Sequence, residues 1–182
     1  MTGILITALM GFFLLPQSEA LTNPATMPAT GAFPHYSVKV TAYNAVPEQT
    51  DGSPHITASG AYANPEVVAA RSRDLKDQLP FGTVIVLKYS PSSKNCGFAT
   101  VEELIGYRVI ADSMHSRKRN QIDLLFDARD TVSVGGKATN PSIALGVCDA
   151  VIIRVVGKVD IENIPKTQAE LARLVAGELA VR

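Results

Sequence analysis

Residues 106–126 read GYRVIADSMHSRKRNQIDLLF, and this stretch says most about how the chain folds. Two short apolar runs, at 106–111 and 122–126, are typical of β-strands. The segment that joins them is polar and basic, which predicts a surface loop. Asp112 ends the first run and Asp123 lies within the second. The stretch therefore predicts two neighbouring strands that each present a carboxylate.

Similar short patterns lie on both sides of this stretch. At 37–43, apolar and polar residues alternate with the period of two that a half-buried strand requires. No helical pattern of ten residues occurs before the C-terminal end, and short strands separated by turn-rich loops predict a barrel or a sandwich. Further strands are predicted at 56–60, 67–70, 83–88 and 150–156, with loops at 44–54 and 90–99.

The C-terminal end carries the only helix that the sequence predicts. Thr167 and Glu170 have the spacing of a capping box. Leu171, Leu174 and Val175, with Leu179 one turn further on, form a single apolar stripe. Such a stripe packs either on the barrel of its own chain or on a partner.

The amino-terminal end has the pattern of an export signal. Residues 3–15 are nearly all apolar, and small residues follow up to Ala20. This run is too short to span a bilayer of roughly 30 Å, and the small residues suit a signal peptidase. We expect a signal peptide at 1–20, a flexible linker at 21–34 and no stable membrane insertion after cleavage. Because no Lys or Arg precedes the apolar run, an uncleaved anchor is the alternative.

Export bears on how the two cysteines are interpreted. An oxidising compartment favours a disulfide over free thiols, so we expect Cys96 to pair with Cys148. The bridge closes a long loop, which stabilises the fold by about 4 kcal/mol in the chain-entropy view. A cysteine nucleophile is the alternative interpretation, but no motif in the sequence supplies the base that it needs.

The composition of the 182-residue chain, which is long enough for one hydrophobic core, excludes several classes of function. Its 17 basic residues balance 17 acidic ones, so we expect no nucleic-acid partner. The sequence has no Gly-x-Ser-x-Gly elbow, no phosphate-binding glycine loop and no His-Glu-x-x-His. The histidines are scattered, at His35, His55 and His115, so we expect neither a metal site nor a cofactor.

Asp123 is an unusual residue for its position, because Ile122 and Leu124 flank it. Its carboxylate either points to solvent by strand alternation or lies in a partly desolvated cleft, where its pKa would rise. If Asp112 lay beside it, the like charges would push the two pKa values apart and make an acid and a base. The residues alone leave both interpretations open.

Four sequence blocks occur here in the order in which one known family has them. The blocks are VTAYN at 40–44, TASG at 57–60, LPFGT at 79–83, and the stretch from AD at 111–112 to IDL at 122–124. Across residues 37–157 the sequence resembles the 3D (Asp-Asp-Asp) domain, which is related to the membrane-bound lytic transglycosylase A and to rare-lipoprotein-A-like barrels. The spacing from Asp112 to Asp123, 11 positions, is the most specific part of the resemblance.

The resemblance implies a mainly β fold. The expected domain is a six-stranded double-psi β-barrel at 35–160, followed by a short helix within a C-terminal extension at 161–182. Segments 90–103 and 127–140 look like insertions into this barrel. The bridge between the two cysteines would tie the first insertion to the last strand.

The resemblance also implies which residues form the site. The family's general acid and base falls at Asp123, with Asp112 beside it. The first of the family's three aspartates falls at Asp74, with an insertion of one residue, or at Asp77.

Other residues are implied to contact the substrate. Thr57 and Ser59 would hydrogen-bond sugar hydroxyls. The basic loop that contains Arg117, Lys118 and Arg119 would meet the carboxylates of stem peptides, or is simply solvated.

Such a site implies a lytic transglycosylase-like enzyme that acts on the glycan strands of peptidoglycan. It would cleave the β-1,4 bond between N-acetylmuramic acid and N-acetylglucosamine, as an exported protein of the periplasm or cell envelope. The alternative is a noncatalytic module of the same fold that binds glycan or organises the envelope, because a fold alone does not fix a function.

Overall fold

The structure, a computed structural model, describes residues 33–50, 52–89 and 96–180. The signal peptide predicted at 1–20 lies outside the described residues, as does the linker predicted at 21–34 apart from its last two positions. The described part of the chain contains eight β-strands. Their bounds are β1 His35–Asn44, β2 Val68–Arg71, β3 Thr83–Lys88, β4 Tyr107–Ser113, β5 Gln121–Phe126, β6 Val132–Val134, β7 Lys137–Thr139 and β8 Cys148–Lys158.

Six of the strands close into a barrel in the order β1-β5-β2-β4-β3-β8. β1 is parallel to β5 and β2 is parallel to β4, whereas the other neighbours are antiparallel. The remaining strands, β6 and β7, form a separate two-stranded sheet. The prediction of a mainly β, six-stranded barrel with a short C-terminal helix is confirmed.

The barrel consists of two three-stranded halves that interleave. Exchanging β1, β2 and β3 with β4, β5 and β8 reproduces the whole strand order. The same exchange turns the parallel pair β1·β5 into the parallel pair β4·β2. Two like halves interleaved in this way are the double-psi arrangement that the resemblance implied.

The barrel interior is filled by apolar side chains from all six strands, among them Val40, Ile110, Ile122 and Leu124. Each of these four residues is fully buried. Burying one aliphatic side chain of this size stabilises a fold by about 1.5 to 3 kcal/mol. Residues between them on the same strands point outwards, which is where the candidate site lies.

Arg108 of β4 is a charged side chain that lies inside the barrel and is fully buried. Its lateral partner is Ile85 of β3, which belongs to the interior cluster. Burial lowers the pKa of Arg108 to about 10, and no described carboxylate lies within ion-pair distance of it. Its guanidinium instead donates to main-chain carbonyls, those of Pro65, Val68, Leu104, Ile105 and Leu125, at 2.7 to 3.3 Å.

The disulfide between Cys96 and Cys148 is confirmed, with a Cα–Cα distance of 5.2 Å. It joins the segment before a helix, α1 (Phe98–Ile105), to the first residue of β8. The sequence did not predict α1, nor the shorter α2 (Pro141–Leu145). An eight-residue helix with three buried side chains is too short for a clear periodic pattern.

The strand predicted at 56–60 is wrong, because these residues form turns. The Thr57 hydroxyl and its N–H both bond to the Ala61 carbonyl, which closes the chain on itself. A single antiparallel bridge between Ile56 and Tyr62 is all the strand pairing that remains.

The C-terminal helix, α3 (Gln168–Ala180), packs on the outside of the barrel. Its capping box is confirmed, since the Glu170 N–H donates to Thr167 Oγ1 and the Thr167 N–H donates to the Glu170 carboxylate, each at 3.2 Å. Leu171 and Val175 are buried against barrel residues, so the helix packs on its own chain. Within the described residues, no helix combines the length and apolar character needed to cross a membrane.

Candidate active site

The pairing of the strands brings Asp112 and Asp123 to the same groove. Ala70 of β2 is the lateral partner of Asp123 on β5 and also of Asp112 on β4. Lateral partners in a sheet point to the same face, and strands lie about 4.8 Å apart, so roughly 10 Å separates the two α-carbons. Both carboxyl groups line a groove of about 710 Å³ on the outer face of the barrel.

A local irregularity in β4 aims Asp112 outwards. The pairing of β2 with β4 passes from Ala69–Ile110 directly to Ala70–Asp112, so β4 carries one extra residue, Ala111. Because Ile110 points into the interior, strict alternation would send Asp112 inwards as well. A bulge re-aims a side chain in this way, and bulges are common beside functional sites.

Three hydrogen bonds fix the orientation of the Asp112 carboxylate. The hydroxyl of Tyr43 donates to Oδ2 at 2.8 Å. The main-chain N–H groups of Ala58 and Ser113 both donate to Oδ1, each at 2.8 Å. Burial, followed by the nearby Asp112 charge, raises the pKa of Tyr43 far above its usual range, so this phenol stays neutral and remains a donor.

Asp123 has a different environment. Desolvation raises its pKa to about 6, and the Asp112 charge adds to that effect, while a hydrogen bond from Thr41 and the charge of Lys118 oppose it. The Thr41 hydroxyl donates to Asp123 Oδ1 at 2.6 Å. No described group bonds to the other oxygen, Oδ2. Asp123 therefore keeps its proton up to a higher pH than an ordinary carboxyl group does, and one of its oxygens has no described hydrogen-bond partner.

A buried amide sets the direction of the Thr41 hydroxyl. The Gln121 side-chain amide donates to Thr41 Oγ1 at 2.7 Å, and Gln121 is almost fully buried. Because a hydroxyl has a single hydrogen, Thr41 must direct it to Asp123 Oδ1. The proton of a neutral Asp123 carboxyl then belongs on Oδ2.

Only some of the polar residues implied to bind substrate lie in this groove. Thr57 lines it, but its hydroxyl is already bonded to the Ala61 carbonyl and lies 3.0 Å from the Ser59 hydroxyl. Ser59 lines a neighbouring cavity of about 1000 Å³ instead. Asp74 and Asp77 lie outside both cavities.

The basic loop contributes one of its cations to the groove. Lys118 lines it, whereas Arg117 and Arg119 do not. A further cation, Arg73, reaches the groove from the 3-10 turn at Arg73–Leu75. In the described part of the chain, no cluster of three or more His, Cys, Asp or Glu side chains is placed to hold a metal ion.

Sequence analysis missed Thr41, Tyr43 and Gln121. The alternation at 37–43 already places Thr41 and Tyr43 on one face of β1, opposite Val40, and both lie within the VTAYN block. That shared face was the available signal. Nothing in the sequence marks Gln121, because its role depends on the parallel pairing of β1 with β5.

Neither a scan against protein-family models nor a search of curated proteins found a match to this chain.

Proposed function

We propose that this chain is a peptidoglycan lytic transglycosylase-like enzyme of the cell envelope. It cleaves the β-1,4 bond between N-acetylmuramic acid and N-acetylglucosamine. The observation that carries the proposal is Asp123, a carboxyl group with a pKa near 6 that lies in an open groove beside a second carboxylate. A general acid works best when its pKa is close to the working pH.

The reaction proceeds in two proton transfers through one carboxyl group. Asp123 Oδ2 gives its proton to the glycosidic oxygen as the bond from that oxygen to the muramyl C1 breaks. The resulting carboxylate then accepts the proton of the muramyl 6-hydroxyl while O6 bonds to C1 and closes an anhydro ring. The carboxyl group ends protonated, as it began, and no water is consumed.

This chemistry needs only one acid and base, because the substrate supplies its own nucleophile. Ordinary glycoside hydrolysis requires two carboxyl groups that divide the work. Asp112, held by three donors, is assigned a supporting role. Its negative charge adds to the desolvation that raises the pKa of Asp123, and it stabilises the positive charge that develops at C1.

The groove, at about 710 Å³, is large enough to hold part of a ligand. Besides Asp112 and Asp123, its lining includes residues of the turns at 53–58 and of the segment at 113–118.

Export to the cell envelope is part of the proposal. The disulfide between Cys96 and Cys148 supports it, because such bridges persist in oxidising compartments. The signal peptide expected at 1–20 supplies the route. Labelling of the mature amino terminus in fractionated cells tests this part, and an uncleaved chain in the membrane fraction would contradict it.

The test of activity is digestion of purified peptidoglycan, followed by mass analysis of the products. The enzyme should release muropeptides with anhydromuramyl ends, each lighter by one water than the hydrolysis product. Binding without such products between about pH 4 and pH 8 would favour the noncatalytic glycan-binding module instead.

A further inference from the structure

The loop at 114–120, between β4 and β5, uses its three cations in different ways. The Arg119 guanidinium donates to carbonyls of its own loop, those of Ser116 and Lys118. Arg117 does not line the groove. Lys118 lines it, and its charge counteracts the desolvation that raises the pKa of Asp123. The loop thus delivers one cation to the neighbourhood of the acid.

Asn120 holds this loop in a fixed position. It is the one residue other than glycine in the described part of the chain with a left-handed backbone, at φ 47°. Its carbonyl accepts from the Lys39 N–H at 2.9 Å, and its side-chain amide donates to the Ser37 carbonyl at 3.1 Å. A strained residue persists only where its surroundings determine its conformation in this way.

Asp74 connects the loop to the 3-10 turn that carries Arg73. Its carboxylate accepts from the Asn120 N–H at 2.9 Å. Slight desolvation acts to raise the pKa of Asp74, but hydrogen bonds from Ser72 and Asn120 outweigh it and lower that pKa. Asp74 therefore connects the two segments that contribute Arg73 and Lys118 to the groove.

Within the described residues, neither of these two cations forms an ion pair. Both ion pairs in the described part of the chain involve other residues, and no described group bonds to the Arg73 guanidinium or the Lys118 ammonium. A guanidinium and an ammonium that line the same groove, even one that also holds Asp112 and Asp123, can each bond to a carboxylate of a ligand. We propose that Arg73 and Lys118 form a subsite for a carboxylate of the ligand, so that the groove selects an anionic glycan over a neutral one. This inference rests on the proposed function and names its substrate class.

A muramyl sugar can offer that carboxylate from two sources. One is the lactyl group, which is a free acid once the stem peptide has been removed. The other is an acidic group of the attached peptide. Both present the same chemistry to a guanidinium and an ammonium.

The test measures dissociation constants in an Asp123→Asn background, so that turnover does not consume the ligand. The probes are strands with stem peptides, strands stripped of peptides, the amidated form of each, and neutral chitooligosaccharides. Lys118→Met and Arg73→Gln should each weaken binding to carboxylate-bearing strands about five- to tenfold. Binding of amidated strands and chitooligosaccharides should stay unchanged.

Two matched charge losses serve as controls. Arg117→Gln, in the same loop but off the groove, and Lys158→Met, on β8, should both leave binding unchanged. A loss confined to one kind of strand supports the subsite and identifies the source of the carboxylate. Equal affinity in all variants, or an equal loss in Arg117→Gln, would overturn the subsite. If binding depends on the carboxylate but wild-type protein releases no anhydromuropeptides, the proposed enzymatic activity is contradicted and the proposed subsite is still supported.

Discussion

The two parallel strand pairs of the barrel occupy equivalent places but carry different chemistry. In the pair β1·β5, Thr41 lies beside Asp123. In the equivalent pair β4·β2, Asp112 takes the place of Thr41 and Ala70 takes the place of Asp123. Asp123 and Ala70 are themselves lateral partners. The four residues therefore form one row across the sheet, with Asp123 and Ala70 at its central positions and Thr41 and Asp112 at its flanking positions.

The difference shows how two equivalent strand pairs with the same backbone arrangement can provide one general acid between them. The central position of the pair β1·β5 is the carboxyl group of Asp123, and that of the pair β4·β2 is the methyl group of Ala70, which lines the groove. The flanking position is the hydroxyl of Thr41 in the first pair and the carboxylate of Asp112 in the second. Only the second pair contains the extra residue Ala111, which turns Asp112 towards the groove. Asp123 is therefore assigned as the reacting group, and the side chains at the other three positions form its surroundings.

Asp123→Asn leaves neither central position with an acid, because the other is Ala70. Of the variants considered, it should have the largest effect on activity. We expect anhydromuropeptide release to fall by roughly 10³-fold, because an amide has no proton to give to the leaving oxygen. The readout is product release from purified peptidoglycan. Circular dichroism and glycan binding are the controls and should match wild type. Substantial residual cleavage would assign the acid elsewhere.

The same variant should be more stable than wild type at neutral pH. Because desolvation raises the pKa of Asp123 from 3.8 to about 6, the folded protein holds a proton between these values that the unfolded chain has lost. Wild-type stability therefore falls as pH rises from about 4 to 6, by about 1 to 2 kcal/mol after allowance for partial exposure. Urea unfolding near pH 4 and pH 7.5 measures this, and equal stability at both would contradict the raised pKa.

Asp112→Asn removes the charge from the flanking position of the pair β4·β2. Desolvation is the main cause of the raised pKa of Asp123, and the Asp112 charge adds to it. We therefore expect the pH optimum to move to lower pH and the rate to fall about tenfold. The pH dependence of kcat/KM is the measurement. A loss as complete as that of Asp123→Asn would instead make both carboxyl groups essential.

Thr41→Val removes the hydroxyl from the flanking position of the pair β1·β5. Of these variants it should have the smallest effect on activity. The Thr41 hydrogen bond opposes the desolvation of Asp123, so its loss should raise the pKa of Asp123 further. Carbon-13 NMR titration of the carboxyl group follows this directly. Thr41→Ser keeps the hydroxyl and should titrate like wild type. A downward shift in Thr41→Val would refute the assigned bond.

The strands and the disulfide could be predicted because their signals are local. Alternation at 37–43 and the apolar run at 122–126 depend on one strand each, and the two cysteines of the sequence allow only one pairing within the chain. The strand predicted at 56–60 failed because a threonine side chain competes for backbone hydrogen bonds there.

The details of the site depend on neighbouring strands and could not be predicted in the same way. The outward direction of Asp112 is a property of the β2·β4 register, which no single strand encodes. The position of Lys118, and not Arg117, in the groove depends on a contact between Asp74 and Asn120 that spans 46 positions of sequence. The sequence identified the two carboxylates, but their surroundings required the fold.

The buried Arg108 has a consequence for how the barrel comes apart. Its donors are satisfied by carbonyls from the end of α1, from the chain before and within β2, and from β5. The carbonyl end of α1 also carries the negative end of the helix dipole, which offsets the charge. If any one of these segments detached alone, a buried cation would lose its hydrogen bonds, which is strongly unfavourable. The three segments, two of which include strands that carry the groove, are thereby coupled into one cooperative unit, so that detachment of any one of them alone is suppressed.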